Sequence, residues 1–547
     1  MAPWLHHRNK HNMDPQTVSY TSTVTEEQSA PSIGVVDNWR ADSLVHSVVL
    51  WLVLMAVQRA VGFLRAILFC RWLDAEQLGL WDMTFGFLMF AGPLAMLALP
   101  GTFGRYAEYY RLRGQLRPFL ARTAAACILL TLAAVTLIVL YRGEFSRLIF
   151  GSSRQTELVI LTAGVLMAVA AYNYFISLLT ALRIVRLAAT MEFLNGVLFA
   201  ALGIGLLLTW RCDSASVAVA YGGSCLLSIA AVSWQVKAAW KSSPADIEPL
   251  PRRVMWSKLI PFAAWMLSIS MLTNLFGLAD RYMIIHFAPG RVEERLALVG
   301  QYYSCRVLPL LMVSVASMMA TVLLPHLCHD WESGRRELVA RRLNLFLKLL
   351  AFGLMAASGA VLFIAPWLFG VAFQGKFAAG MAVLPWTLAY CVCFGVAVVA
   401  QQYLWCAERA SLVGLALGAG LAVNIALNLA LLPRLGLLGA VLAASAANLV
   451  ALVLIFVFAR LAGFQVHRGL WIILGLVPAI CLGPWVTLGV LLAIVLESIR
   501  SDKLLTREEK HQLSESIKHY WSNFIKGLSS LPSPFGRGAG GEGRCKP

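Results

Sequence analysis

The stretch LLGAVLAASAANLVALVLIFVFA, residues 437–459, decides the fold: 23 residues pass without a charged side chain before Arg460. About 20 consecutive apolar residues carry a helix across the hydrocarbon core of a bilayer. Its Gly and Ala residues also let a neighbouring helix approach closely, as do those of Gly414 to Ala422. Working outward, similar segments lie at about 45–69, 81–104, 122–141, 157–180, 190–210, 214–236, 259–285, 299–325, 344–369, 380–404 and 411–432. Charged residues are 13% of the chain, about half the share of a soluble protein, and hydrophobic residues are 59%. Mean hydropathy is +0.72. Alternating segments of about ten residues, the mark of a membrane β-barrel, are absent. Backbone groups in lipid must then be satisfied inside helices. The expected fold class is an all-α polytopic membrane protein.

A further apolar stretch at about 470–498 is too long for one ordinary span, and Gly483-Pro484 interrupts it. Two short helices in a hairpin or one long kinked helix both fit, since Pro breaks a helix and Gly-Pro favours a turn. Charge separates them. With the N-terminus in the cytoplasm, the inward connections hold Arg105, Arg111, Arg113, Arg117 and Arg122, then Arg183 and Arg186, then Lys237, Lys241, Arg252, Arg253 and Lys258. Arg335, Arg336, Arg341, Arg342, Lys348, Arg409, Arg460 and Arg468 follow. Outward connections are poorer in Lys and Arg and carry Asp74, Glu76, Glu144, Glu293 and Glu294. Enrichment of Lys and Arg in short loops sets orientation. The segment after Ile499, with Arg500, Lys503, Arg507 and Lys510, reads as cytoplasmic too, which requires the hairpin. About 14 transmembrane helices with both termini inside is the consistent expectation. Residues 1–44 lack a signal-peptide pattern and read as a disordered cytoplasmic tail; residues 500–547 read as a largely disordered one.

The net charge of +17 belongs to these loops, so no nucleic-acid partner is expected. The eleven cysteines lie mostly inside spans without metal-ligand spacing, and Cys391 and Cys393 point to different sides of a helix. No G-x-x-x-x-G-K-[ST] loop is present to bind ATP. No cluster suited to catalysis is seen, so neither an enzyme nor a cofactor or metal is expected.

Two parts of the chain echo one another. Leu78-Gly79-Leu80-Trp81 is followed by Pro93, and Val299-Gly300-Gln301-Tyr302 by Pro309. Ala181-Leu182-Arg183 precedes a span with Asn195, as Ala407-Glu408-Arg409 precedes one with Asn424. Recurrence six spans apart, in the same order, is the mark of a transporter built from repeats. Two pseudo-symmetric six-helix bundles around a central cavity are expected, at 45–236 and 259–459, with the hairpin at 470–498.

An ionisable side chain within a span costs roughly 2.5–3.5 kcal/mol at its centre and is a functional candidate by default. Gln58, Arg59 and Arg65 lie in the first span, Asn274 in the seventh and Arg306 in the eighth. Arg59 and Arg65 sit about 120° apart around their helix. Both can line a cavity, or Arg65 can pair structurally with Asp82. Gln401, Gln402, Asn424, Asn428 and Asn448 fit interhelical hydrogen bonding. Asp82, Glu192, Asp280 and Glu497 fall near span ends. The buried charge is therefore arginine, whose planar fork suits phosphate or carboxylate. An anionic cargo such as a pyrophosphate is implied.

Arg59-Ala-Val-Gly62-Phe63-Leu-Arg65, Arg71-Trp-Leu73 and Leu78-Gly79-Leu80-Trp81 resemble the opening of the multidrug/oligosaccharidyl-lipid/polysaccharide exporter superfamily. Its polysaccharide biosynthesis branch, the O-antigen and capsule-type flippases, is also similar at Ala279-Asp280-Arg281-Tyr282, Leu324-Pro325 and Leu432 to Ala440. The resemblance spans roughly residues 45–500. It implies alternating access by two six-helix bundles. The implied cargo is a polyprenyl-diphosphate-linked oligosaccharide, moved from the cytoplasmic to the outer leaflet of a bacterial inner membrane. Arg59 and Arg65 match the arginines implicated in engaging lipid diphosphate in the lipid II flippases, where an acidic residue usually stands in place of Ala66. Expected substrate-binding residues are Arg59, Arg65, Arg306, Gln58 and Asn274. Expected partners are the lipid-linked oligosaccharide, membrane lipids and a glycan polymerase or glycosyltransferases, with the chain itself a monomer. A lipid II flippase, a cation-coupled drug or metabolite antiporter and a membrane-embedded scaffold or enzyme subunit of a glycan-assembly complex are the alternatives.

Overall fold

The computed structural model describes residues 44–182, 184–242 and 250–511, with residues 514, 515 and 518. Arg183 and nearly all of the two expected tails lie outside the described residues, residues 500–511 excepted. Described secondary structure is helical throughout. The N-terminal part comprises α1 (Leu44–Trp72), α2 (Ala75–Ala95), α3 (Phe103–Arg111), α4 (Leu116–Leu140), α5 (Arg142–Phe150), α6 (Thr156–Ala181), α7 (Val185–Thr209) and α8 (Ser214–Ser242). The C-terminal part comprises α9 (Arg252–Phe287), α10 (Val292–Glu332), α11 (Arg336–Trp367), α12 (Ala378–Ala400), α13 (Gln402–Cys406), α14 (Ala410–Leu435) and α15 (Leu437–Leu461). After it come α16 (Arg468–Gly475), a 3-10 segment Val477–Leu482 and α17 (Pro484–Arg500). Among the described residues, 11 helices are long and apolar enough to cross a membrane. The long α1 and the two arms of the terminal apolar segment are further apolar helices, in keeping with about fourteen crossings.

Glycine and proline set the turns. Gly436, at φ +56, reverses the chain between α14 and α15, and a side chain at Gly439 would meet the Leu431 carbonyl at 2.6 Å. The two helices consequently leave the turn backbone against backbone. Gly483, at φ +109, precedes Pro484, whose fixed φ suits the first position of α17. The chain does turn back here. A Cβ on Gly469 would lie 2.3 Å from the Leu504 carbonyl oxygen, so the two feet of the segment stand together.

Both feet rest on α11. Asn344 donates to the Gln465 carbonyl at 2.8 Å and accepts from the His467 amide at 2.9 Å. Lys348, only 1% exposed, donates to both oxygens of Glu509 at 2.8 Å. Arg341 reaches Glu508 at 2.9 Å. Residues 501–511, counted with the tail in the sequence, are thereby folded onto α11.

The connections α1–α2, α9–α10 and α11–α12 lie at one end of the molecule, here the upper end; α10–α11, α14's start and the hairpin's feet lie at the lower end. Helices α1, α2, α4, α6, α7 and α8 form the first bundle, and α10, α11, α12, α14 and α15 the core of the second. Helix α9 serves both. Its lower part (Met255, Leu259) shares a buried cluster with Phe103, Tyr110, Phe119 and Leu178 of the first bundle. Its upper part packs on α14, where Gly420 faces Phe276. The sequence assigns 259–285 to the second bundle alone. In the structure the boundary falls within α9, because Leu250 just before it lies beside α4, where Arg122 holds the Leu250 carbonyl at 2.6 Å.

Candidate functional site

The bundles meet where the starts of α2 and α10 cross. A Cβ on Gly79 would stand 1.9 Å from the Leu296 carbonyl oxygen, and one on Gly300 would stand 1.9 Å from that of Ala75. The two echoing Gly motifs thus face each other, each letting the other helix's backbone approach. Beside them, Lys376 donates to the Arg71 carbonyl at 3.1 Å and lies 3.5 Å from Asp74. This upper seal holds α1, α2, α10 and α12 together.

Just below it is a buried charged cluster drawn from both bundles. Asp82 on α2, 1% exposed, lies 3.1 Å from Nε of Arg281 on α9. The pair is close without hydrogen-bond alignment at those atoms, and Arg281 also reaches the Asp82 carbonyl at 3.4 Å. One residue earlier, the Asp280 carboxylate accepts from the Tyr302 hydroxyl at 2.8 Å and from the amides of Asn424 and Asn428 at 2.8 and 3.1 Å. Those asparagines stand four apart on α14, so both face α9. A carboxylate with three donors is fixed in place.

Arg306 lies one turn below Tyr302 on α10. Its guanidinium stands 5.0 Å from the Tyr302 ring, within electrostatic reach of Asp82, Asp280 and Tyr390. Arg65 of α1 stacks over Phe199 of α7 at 4.0 Å from the ring centroid and faces Tyr221 and Tyr303. Neither Arg65 nor Arg306 makes a salt bridge among the described residues. Arg281 and Arg306 therefore face two carboxylates, Arg65 stands beside them across Tyr303, and the Arg65 and Arg306 forks remain available to an anion held in low dielectric.

The residues singled out in the sequence separate in space. Arg306 enters the cluster, and Arg65 borders it across Tyr303. Arg59 lies about 9 Å lower on α1, exposed and facing Glu192 electrostatically. Gln58 packs on Gly196 and donates to the Glu192 carbonyl at 3.2 Å, which joins α1 to α7. Asn274 is bonded to the carbonyl and hydroxyl of Ser270 in its own helix, at 2.9 and 3.2 Å.

One sequence-based expectation is corrected. Arg65 does not pair with Asp82, which is bound to Arg281 from 199 positions away. Asp82 and Asp280 lie near the ends of their helices, where the sequence places them, and both are buried within the protein. Asp280, Arg281 and Asn428 are thus site residues that hydropathy ranks as span ends or packing. The i, i+4 spacing of Asn424 and Asn428 was the available signal.

No protein-family model matches the chain, and no curated protein matches it by sequence. Solved structures match it in fold. One is described as the lipid II flippase MurJ in an inward closed conformation: 14% identity, 83% of this chain and 99% of that chain covered, TM-score 0.62. Another is the inward-facing conformation of a multidrug resistance MATE family transporter of the MOP superfamily, with 14% identity, 75% and 97% coverage and TM-score 0.58. The eukaryotic MATE transporter AtDTX14 matches with 13% identity, 75% and 94% coverage and TM-score 0.51. The chain shares the fold of these solved structures.

Proposed function

We propose that this exporter-fold protein is a flippase that moves a polyprenyl-diphosphate-linked oligosaccharide between the leaflets of a membrane by alternating access. The observation that carries this is the pair of guanidiniums, Arg306 within the inter-bundle cluster and Arg65 beside it across Tyr303, neither in a salt bridge among the described residues. A diphosphate offers each a planar, bidentate partner. Arg59, lower on α1, extends the basic track along the helix. The cargo travels from the cytoplasmic to the outer leaflet, with Lys/Arg-rich lower loops inside and both termini cytoplasmic. The setting is a bacterial inner membrane during surface polysaccharide biosynthesis, where glycan polymerase and glycosyltransferases would act beside a monomeric exporter.

The test is polysaccharide export in cells carrying Arg65→Ala with Arg306→Ala, beside membrane abundance of the protein. Loss of export at unchanged abundance is expected; full export removes the assignment.

Buried Asp280 favours a second reading, a cation-coupled antiporter, because such a carrier needs a carboxylate inside the membrane. Resistance to cationic dyes that depends on Asp280 would select it. Movement of lipid II in place of a lipid-linked oligosaccharide would select the lipid II flippase reading.

A further inference from the structure

Near the lower end of α10, the Sγ atom of Cys328 lies 3.4 Å from that of Cys406, the last residue of α13. The two residues are 78 positions apart, and each is free. Cys406 lines a cavity of about 250 Å³ with Trp331, Glu332, Arg336, Glu408 and Arg409. Cys328 is itself partly exposed. A small oxidant can therefore reach the pair.

We propose that Cys328 and Cys406 form an oxidant-sensitive dithiol, a modification site that closes to a disulfide and joins α10 to the α12–α14 connection. The oxidant is of the peroxide class. One thiol attacks the peroxide oxygen, the O–O bond breaks, and a sulfenic acid forms with release of water or an alcohol. The second sulfur then displaces the sulfenic oxygen as water, so two thiols and one peroxide give one disulfide. Sulfur–sulfur bonding needs about 2.05 Å, hence an approach of about 1.4 Å.

The turn behind Cys406 holds Glu408 at φ +56, a left-handed conformation that a residue with a side chain keeps only under strain. The cross-link would fix the lower end of the helix that carries Gly300, Tyr302 and Arg306. A reducing cytosol keeps the pair as thiols, and oxidant exposure closes it.

The full-length protein in membranes is treated with hydrogen peroxide, alkylated and digested for mass spectrometry. Expected is a Cys328–Cys406 linked peptide that disappears after dithiothreitol, at peroxide levels that leave buried Cys70 and Cys225 alkylatable after denaturation. In Cys328→Ser and in Cys328→Ala, Cys406 should be recovered as sulfenic acid or thiol and not in a disulfide. The proposal is overturned if both cysteines of the wild type stay alkylatable, or if Cys406 joins other cysteines as readily as Cys328.

Discussion

Adding one methyl group to either glycine of the upper seal should weaken that seal while leaving the fold intact. A methyl carbon at Gly79 or Gly300 would sit 1.9 Å from a backbone carbonyl oxygen of the facing helix. Carbon–oxygen contacts between helices settle at about 3.3–3.6 Å, so the helices must part by about 1.4 Å. Backbone cannot rotate away as a flexible side chain can. Overpacking of this kind costs about 1–3 kcal/mol. Alanine's helix propensity advantage of about 1 kcal/mol acts with the seal closed or open, so it does not offset the shift. The closed-seal population should fall about 5–150-fold relative to the open one. The assay is disulfide trapping of Asp74→Cys with Lys376→Cys, whose native side chains approach to 3.5 Å, in a background without native cysteines. Gly79→Ala and Gly300→Ala should slow trapping several-fold. Gly353→Ala on α11, where nothing lies within 4 Å of an added Cβ, should not. Equal trapping rates in all three would refute the steric reasoning.

Other outcomes follow from the ion pairs. Asp82→Asn leaves Arg281 buried without its partner, a loss of about 3–5 kcal/mol that thermal unfolding in detergent should register; Arg281→Gln added to it should restore much of the stability. Burial, reinforced by Lys348, depresses His467 below its usual 6.5, and its Nδ1 accepts from the Gly469 amide. Protonation therefore opposes the folded foot. Its anchoring should be complete above pH 6.5 and weaken as pH falls through the depressed value, seen as faster trypsin cleavage at Lys503 and Arg507; His467→Gln should flatten that profile. Glu509→Ala strips Lys348 of its bidentate partner and should expose the same sites at neutral pH.

Hydropathy made the spans legible because lipid permits little but helices between 45 and 500, and Gly483-Pro484 with the charge beyond it made the reversal legible. What crosses between spans was not. Division of α9 between the bundles depends on Leu250, Met255 and Leu259 meeting the first bundle, which no local pattern records. Arg65 and Arg306 were recognisable as charges in lipid, yet their surroundings were not: Asp82 meets Arg281 rather than Arg65, and Cys328 meets Cys406 across 78 positions. Gln58 and Asn274 illustrate the converse, polar side chains within spans whose hydrogen bonds go to a neighbouring helix and to their own turn.

The central claim is that Arg65 and Arg306 hold a lipid-linked diphosphate between the bundles. Its direct test is flipping of a fluorescent polyprenyl-diphosphate oligosaccharide in proteoliposomes of the purified protein, with dithionite reporting the leaflet. The wild type should move the lipid, and Arg65→Ala with Arg306→Ala should move it at least about tenfold more slowly, the loss of one charged hydrogen bond or more. A double variant as fast as the wild type, or a wild type that leaves the lipid in its starting leaflet, would contradict the account.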